Sequence, residues 1–289
     1  MLERTALTDM RAWSRAERAR GRKIGFVPTM GFLHEGHLRL VDRAKELADR
    51  VVVSIFVNPL QFGPHEDFAR YPRDLARDRQ VADARGVDCL FVPDVKDMYP
   101  GQPLGHIMGG PMADTLEGAA RPGHFTGVLT VVAKLFHLVE PNVAVFGRKD
   151  LQQATLVRRM TADLDFPITI EVAPTVRELD GLALSSRNTY LDPDQRRSAL
   201  ALSRTLRTVE QAWRSGEADP ATLMRRGMEV LRAPGVEPEY LALVDEDLQP
   251  VARVTARTAA VVAARVGVTR LIDNVVLGEG IAADPTVRG

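Results

Sequence analysis

Through residue 175, short runs dense in Val, Ile and Phe alternate with stretches of one-face helical spacing, and this restricts the fold more than any other feature. The apolar runs are "KIGFVP" (Lys23 to Pro28), "VVVSIFV" (Val51 to Val57), "CLFVP" (Cys89 to Pro93), "VAVFG" (Val143 to Gly147) and "ITIEVAP" (Ile168 to Pro174). They lack the polar alternation of half-exposed strands, so they read as strands covered on both faces. Between them, Leu40, Val41, Ala44, Leu47 and Ala48 recur on one helical face. Val128, Val132, Leu135 and Val139 do the same, and Pro141 stops that helix. Strand, helix, strand in repetition predicts an α/β fold with a parallel sheet and right-handed crossovers. Ligands of such sheets bind at the carboxyl ends of the strands.

The pattern changes near residue 175. "VRELDGLALSSRNTYLDPDQ" is polar, turn-rich and unpatterned. A helix carrying Leu202, Leu206, Val209 and Trp213 on one face follows, then a second over Ala221 to Leu231. "YLALVD", "AAVVAARV" and "TRLIDNVVL" read as three strands at hairpin spacing. The expected organisation is therefore an α/β domain over 1–175 and a smaller α+β domain over 176–289.

Composition excludes several classes. Lys plus Arg and Asp plus Glu are 38 each, which argues against a broad surface for nucleic acid. The locally basic "RAWSRAERARGRK" (Arg11 to Lys23) reads as an exposed helix ahead of the first strand. Cys89, the sole cysteine, lies in an apolar run, so neither an internal disulfide nor a thiolate cage is available. No apolar run reaches the roughly 18 residues of a membrane span, and the N-terminus lacks a signal-peptide core. A cytoplasmic protein without membrane or nucleic-acid partners is expected.

The chemistry concentrates at strand ends. In "FVPTMGFLHEGHLRLV" a strand hands over to a helix through Met30, Gly31, His34, Gly36 and His37. A helix N-terminus carries unpaired N–H groups and the positive end of the dipole, a natural seat for phosphate. Two imidazoles three residues apart share its face. A pair of capping histidines fits the short pattern too, as does a metal pair, although no third ligand is evident nearby. The next strand delivers Asn58 and Gln61, where an amide can offer a hydroxy acid both donor and acceptor; Asn-Pro is also a common turn. Asp78, one helical turn beyond Asp74, suits a hydrated metal or a solvated helix face. Glu117 and Arg121 precede the apolar helix. Lys149 and Asp150 open another helix after a strand and glycine, with Gln153 one turn on. Ser185, Ser186 and Arg187 form a hydroxyl-rich cationic stretch suited to closing over a triphosphate, or to serving as a polar interdomain linker.

Taken in order, "PTMGFLHEGHLRL", "SIFVNPLQF", "ARYPRD", "LEGAARPGHFTGV", "FGRKDLQQ", "DGLALSSRN" and "RLIDN" closely resemble the pantothenate synthetase (pantoate–β-alanine ligase) family over essentially the full chain, with the nearest likeness to actinobacterial members. The resemblance implies a Rossmann-like nucleotidylyltransferase domain of the HIGH superfamily, a C-terminal lid domain and a homodimer. It implies that pantoate and ATP give pantoyl adenylate and pyrophosphate, and that β-alanine then displaces AMP, with Mg2+ required. By motif match, His34 and His37 contact the phosphates, with His37 as proton donor, and Met30, Gly31, Phe32, Leu33, Glu35 and Gly36 line the nucleotide. Lys149, Ser185, Ser186 and Arg187 hold phosphates; Gly147 and Asp150 face the ribose; Val176 lies near the adenine, with Arg148 and Leu184 beside these groups. Gln61 and Gln153 hold pantoate. Asn58, Tyr71, Glu117 and Arg121 shape the second-substrate side, and Asp78 matches a magnesium position. Arg148 stands where many members have Glu, and either strengthens phosphate attraction or faces solvent. Leu60 and Leu184 replace frequent methionines, a nearly volume-neutral change. The nearest rivals are another nucleotidyltransferase of the same superfold and a non-catalytic nucleotide-binding protein.

Overall fold

A computed structural model describes residues 1–64 and 66–281. Six strands form one parallel sheet: β1 (Leu2–Arg4), β2 (Ile24–Thr29), β3 (Arg50–Ile55), β4 (Cys89–Phe91), β5 (Val143–Gly147) and β6 (Thr169–Ala173). Their spatial order is β1-β4-β3-β2-β5-β6, and every neighbouring pair is parallel. The order reverses beside β2, which makes its carboxyl end the topological switch point.

Connecting the strands are α1 (Leu7–Ala19), α2 (Glu35–Leu47), α3 (Leu75–Ala84), the short α4 (Val95–Met98) and α5 (Glu117–Ala120), α6 (His124–Val139) and α7 (Leu151–Asp163). Successive strand residues point to opposite faces, so the sheet feeds two cores. Phe26, Val52, Phe91, Ala144 and Phe146 pack with Met10 of α1, Phe136 of α6 and Val157 of α7. Val27, Val51, Val53, Leu90 and Val145 pack on the other face with Leu40 and Val41 of α2 and Ala82 of α3. This is why the strands read as continuously apolar. Helix α6 buries residues all round, including Val128, Leu129, Val132, Leu135 and Phe136. Each such side chain stabilises the fold by about 1.5–3 kcal/mol relative to exposure.

Two expectations needed adjustment. Strand β1 precedes α1 and pairs with β4, Leu2 opposite Cys89. Helix α1 is not simply an exposed basic helix: Met10, Ser14 and Glu17 are buried, and Glu17 binds Arg20, Arg22 and Arg50.

The chain divides by its contacts into two compact units, Met1–Gly147 with Gln152–Ala173, and Arg148–Leu151 with the chain from Pro174 on. The second unit holds α8 (Pro193–Arg214), α9 (Pro220–Leu231) and an antiparallel sheet of β7 (Val236–Val244), β8 (Ala259–Val266) and β9 (Thr269–Val276). Leu202, Leu206 and Val209 of α8 pack on Leu243, Val262 and Val275 of that sheet. Among the described residues no helix is long and apolar enough to cross a membrane.

Candidate active site

In the first unit, β2 ends in a tight loop that leads into α2. Gly31 has φ +84°, and a Cβ there would lie 2.8 Å from Ile55 Cγ2 and 3.0 Å from Asp78 Oδ2. Both the backbone and the space therefore require glycine. The Thr29 hydroxyl accepts the Gly31 N–H at 3.1 Å and donates to the Ser54 carbonyl at 2.7 Å. Phe32 follows with φ 53°, an uncommon conformation for a bulky residue. Asp78 holds it: Oδ2 accepts the Phe32 N–H and Oδ1 the Leu33 N–H, both at 2.7 Å. Arg77 adds a hydrogen bond to the Leu33 carbonyl and lies over the Phe32 ring.

This geometry corrects the reading of Asp78. It is 1% exposed, so it lies on no solvated helix face. Both oxygens are engaged by the loop backbone, and among the described residues no cluster of three or more acidic, His or Cys side chains could hold a metal. Asp78 does not fit a magnesium ligand. Burial pushes its carboxyl above the usual range, and the two N–H donors oppose that shift only in part.

His34 is the N-cap of α2, and Glu35 and Gly36 form the start of its first turn. The His34 and His37 rings stack at 4.1 Å with 32° between their planes. His37 Nδ1 faces the His34 N–H at 3.4 Å, so a neutral His37 ring carries its proton on Nε2. Arg85 ties Glu35 to Asp42 through its guanidinium, anchoring the first turns of α2.

A short 3-10 turn, Pro59–Gln61, follows β3. It rests directly on α6: a Cβ on Gly127 would sit 2.1 Å from the Leu60 carbonyl oxygen. Asn58, placed by the resemblance among substrate-side residues, is 1% exposed. Its amide donates to the Gly127 carbonyl at 3.1 Å and to Gln61 Oε1 at 3.2 Å, so it acts on Gln61. The Gln61 side-chain N–H reaches Met30 Sδ at 3.1 Å, which joins this turn to the β2 loop.

Arg121 is likewise fully engaged. It grips both oxygens of Glu66 at 2.8 and 2.5 Å, donates to the Gln61 carbonyl at 3.3 Å, and meets His124 Nε2 at 3.0 Å. A guanidinium can only donate, so His124 Nε2 must accept and Nδ1 must carry the proton. Nδ1 donates it to the Gln61 carbonyl at 2.8 Å. Burial, with the Arg121 charge beside it, pushes the His124 pKa down to about 4. Burial also works against the Glu66 charge, yet the Arg121 hydrogen bonds prevail and hold its carboxyl below the usual range.

His124 went unnoticed in the sequence, although it stands in the quoted "RPGHFTGV". Gln152 was also missed. It is buried, accepts the Glu117 N–H at 3.0 Å and donates to the Met112 and Thr115 carbonyls at 2.9 Å, fixing the approach to α5. Gln153 beside it is half-buried on α7. Tyr71 is buried edge-on to Phe62, which also meets Phe68. Gly147 ends β5.

The second unit gathers the remaining candidates. Arg148, Lys149 and Asp150 form a 3-10 turn, and the Lys149 ammonium is 3.6 Å from Asp150 Oδ1. Asn274 of β9, within "RLIDN", donates to the Arg148 and Lys149 carbonyls at 2.8 and 2.9 Å. The adjacent Asp273 binds Arg177 through two hydrogen bonds of 2.6 and 2.8 Å, with both side chains at most 3% exposed. Arg177 lies in a tight hairpin in which Leu184 N–H donates to the Val176 carbonyl at 3.0 Å. This hairpin delivers Ser185, the N-cap of a 3-10 turn over Ser186–Tyr190. The stretch read as unpatterned is thus ordered by side-chain caps: Ser185 accepts from Arg187 N–H, Thr189 binds the Ser186 carbonyl, and Asn188 binds the Ala183 carbonyl. Arg148 pairs with Glu279. The Glu279 carboxylate compensates its charge there.

A fully parallel sheet covered by helices on both faces, with histidines and amides near the carboxyl ends of its central strands, is a doubly wound α/β architecture with polar side chains where ligands of such sheets bind. The family model described as Pantoate-beta-alanine ligase matches residues 4–276. The pantothenate synthetase of Pelotomaculum thermopropionicum is 49% identical over 281 residues, 96% of this chain and 100% of that protein. The crystal structure of pantothenate synthetase from Thermus thermophilus has a TM-score of 0.91 at 48% identity, covering 96% of this chain and 99% of that one. A pantoate–β-alanine ligase from Francisella tularensis, complexed with β-γ ATP and β-alanine, has a TM-score of 0.82 at 35% identity, covering 98% and 100%. The chain belongs to the pantoate–β-alanine ligase family. The likeness to actinobacterial members finds no support in these relatives.

Proposed function

We propose that this chain uses ATP to condense pantoate with β-alanine, through a pantoyl adenylate. A carboxylate does not acylate an amine because oxide is a poor leaving group. Adenylation removes that obstacle. A pantoate carboxylate oxygen attacks the α-phosphorus of ATP, the α–β anhydride bond breaks, and pyrophosphate leaves. The β-alanine amine then attacks the acyl carbon, the amide bond forms, the amine proton is released and AMP departs.

The observation that carries this reading is the stacked pair His34 and His37 at the N-terminus of α2, where the central strand β2 ends. Phosphoryl transfer depends mainly on positioning and on stabilising developing charge. An Nε2–H on His37 beside the helix amides supplies donors for the departing pyrophosphate. Gln61, whose side chain reaches Met30 of the β2 loop, is the pantoate ligand, with Gln153 as the second. Lys149, Ser185, Ser186 and Arg187 serve the phosphates, Gly147 and Asp150 the ribose, and Val176 the adenine. Magnesium enters only as the counter-ion that ATP brings; Asp78 is not assigned to it. A cytoplasmic homodimer belongs to the same reading.

Replacing His37 with Ala should leave the fold intact and slow adenylation by roughly 10²–10³, as expected for one lost charge-stabilising donor. Single-turnover pyrophosphate release at the wild-type rate in that variant would remove His37 from the mechanism.

A further inference from the structure

A glutamine that binds substrate can present either end of its amide, and the choice decides what it recognises. Rotating the amide by 180° exchanges a carbonyl acceptor for an N–H2 donor with almost no change of shape. In this molecule the choice is settled two residues away from the substrate. Asn58 has its own amide held at both ends by backbone groups of fixed polarity. The Gly127 carbonyl can only accept, and it lies 3.1 Å from Asn58 Nδ2. The Leu60 N–H can only donate, and it lies 3.3 Å from Asn58 Oδ1. Those two bonds set the polarity of the Asn58 amide. Its second N–H points at Gln61 at 3.2 Å and requires the Gln61 oxygen there. The Gln61 N–H2 is left directed toward Met30 and the end of β2.

One further group holds this arrangement. The Tyr99 hydroxyl donates to Asn58 Oδ1 at 2.9 Å, a shorter bond than the one from Leu60. Tyr99 follows α4 directly, 41 positions beyond Asn58, and its ring is fixed on two sides. Phe56 packs against it at 6.1 Å, and the Lys134 ammonium of α6 lies 5.4 Å from its centroid while donating to the Met98 carbonyl. Burial raises the Tyr99 phenol well above its ordinary range, so the hydroxyl stays protonated and keeps donating.

We propose that Tyr99 is a positioning residue: through Asn58 it holds the Gln61 amide with its N–H2 toward the substrate, so the site selects an acid that offers a hydroxyl or carboxylate oxygen as acceptor. Tyr99 touches no substrate atom in this scheme. The proposal rests on the reading of Gln61 as the pantoate ligand.

The test is a double-mutant cycle on pantoate affinity by calorimetry, with melting temperature and ATP affinity measured alongside. Tyr99→Phe keeps the ring and its packing and removes only the donor. It should weaken pantoate roughly three- to tenfold, the range for one neutral hydrogen bond, and leave ATP affinity unchanged. In a Gln61→Ala background the same substitution should have no effect on pantoate, because no amide remains to orient. Equal weakening in both backgrounds, or no weakening in the wild-type background while Gln61→Ala does weaken pantoate, overturns the role of Tyr99. Unchanged pantoate affinity in Gln61→Ala alone overturns the reading of Gln61, and the proposal with it.

Discussion

Asp78 accepts the N–H of Phe32 at 2.7 Å across 46 residues of chain, and that bond holds the loop from which the histidine pair departs. Its other oxygen does the same for Leu33. A charged acceptor for two loop N–H groups offsets the strain of a left-handed Phe32.

Asp78→Asn keeps the volume but turns one donor-only amide end toward a donor. Losing one charge-assisted bond should cost about 1.5–3 kcal/mol of stability, read from urea unfolding. The Mg2+ concentration for half-maximal rate should stay within about twofold, because the carboxylate is buried and directed at the loop amides. A large shift in magnesium requirement with unchanged stability would restore Asp78 as a metal ligand.

His124 predicts an acid limit. Its folded pKa, about 4, lies below the 6.5 of an unperturbed imidazole. A depressed group contributes stability that is fully present above the unfolded value and is lost as pH falls toward the folded one. Stability should therefore decline between about pH 6.5 and 4, by on the order of 3 kcal/mol. Glu66, also depressed by Arg121, adds a loss in the same direction below its own ordinary range. His124→Gln should flatten the upper part of this decline. An unchanged slope would assign the acid sensitivity to other groups.

For Arg148 the ion pair with Glu279 predicts little role in nucleotide binding. Arg148→Gln should change ATP affinity by no more than about twofold at any ionic strength. A tenfold loss that shrinks as salt is added would show that the guanidinium serves the phosphates after all.

The parallel sheet was legible because its strands are buried on both faces and carry dense Val, Ile and Phe. Strand β1 was not, since three residues at a sheet edge carry no period. The histidine pair could be read because it is local, three residues on one turn. The partners of Asp78, Asn58 and Arg121 could not be read, because they lie far along the chain: Phe32, Gly127 and Glu66. Each is a polar group whose role is defined by burial against a distant backbone or charge. The same holds for Asn274, whose amide anchors the Lys149 turn across 125 positions. The Ser185 segment escaped the periodic reading because side-chain caps, rather than an apolar face, give it order.

Pyrophosphate release, followed after mixing the protein with ATP, magnesium and pantoate, first without and then with β-alanine, tests the adenylate most directly. A burst of about one pyrophosphate per chain with pantoate alone, becoming steady turnover when β-alanine is added, is the result an activated acyl intermediate predicts. Pyrophosphate that appears only once β-alanine is present, or not at all while ATP still binds, would contradict it.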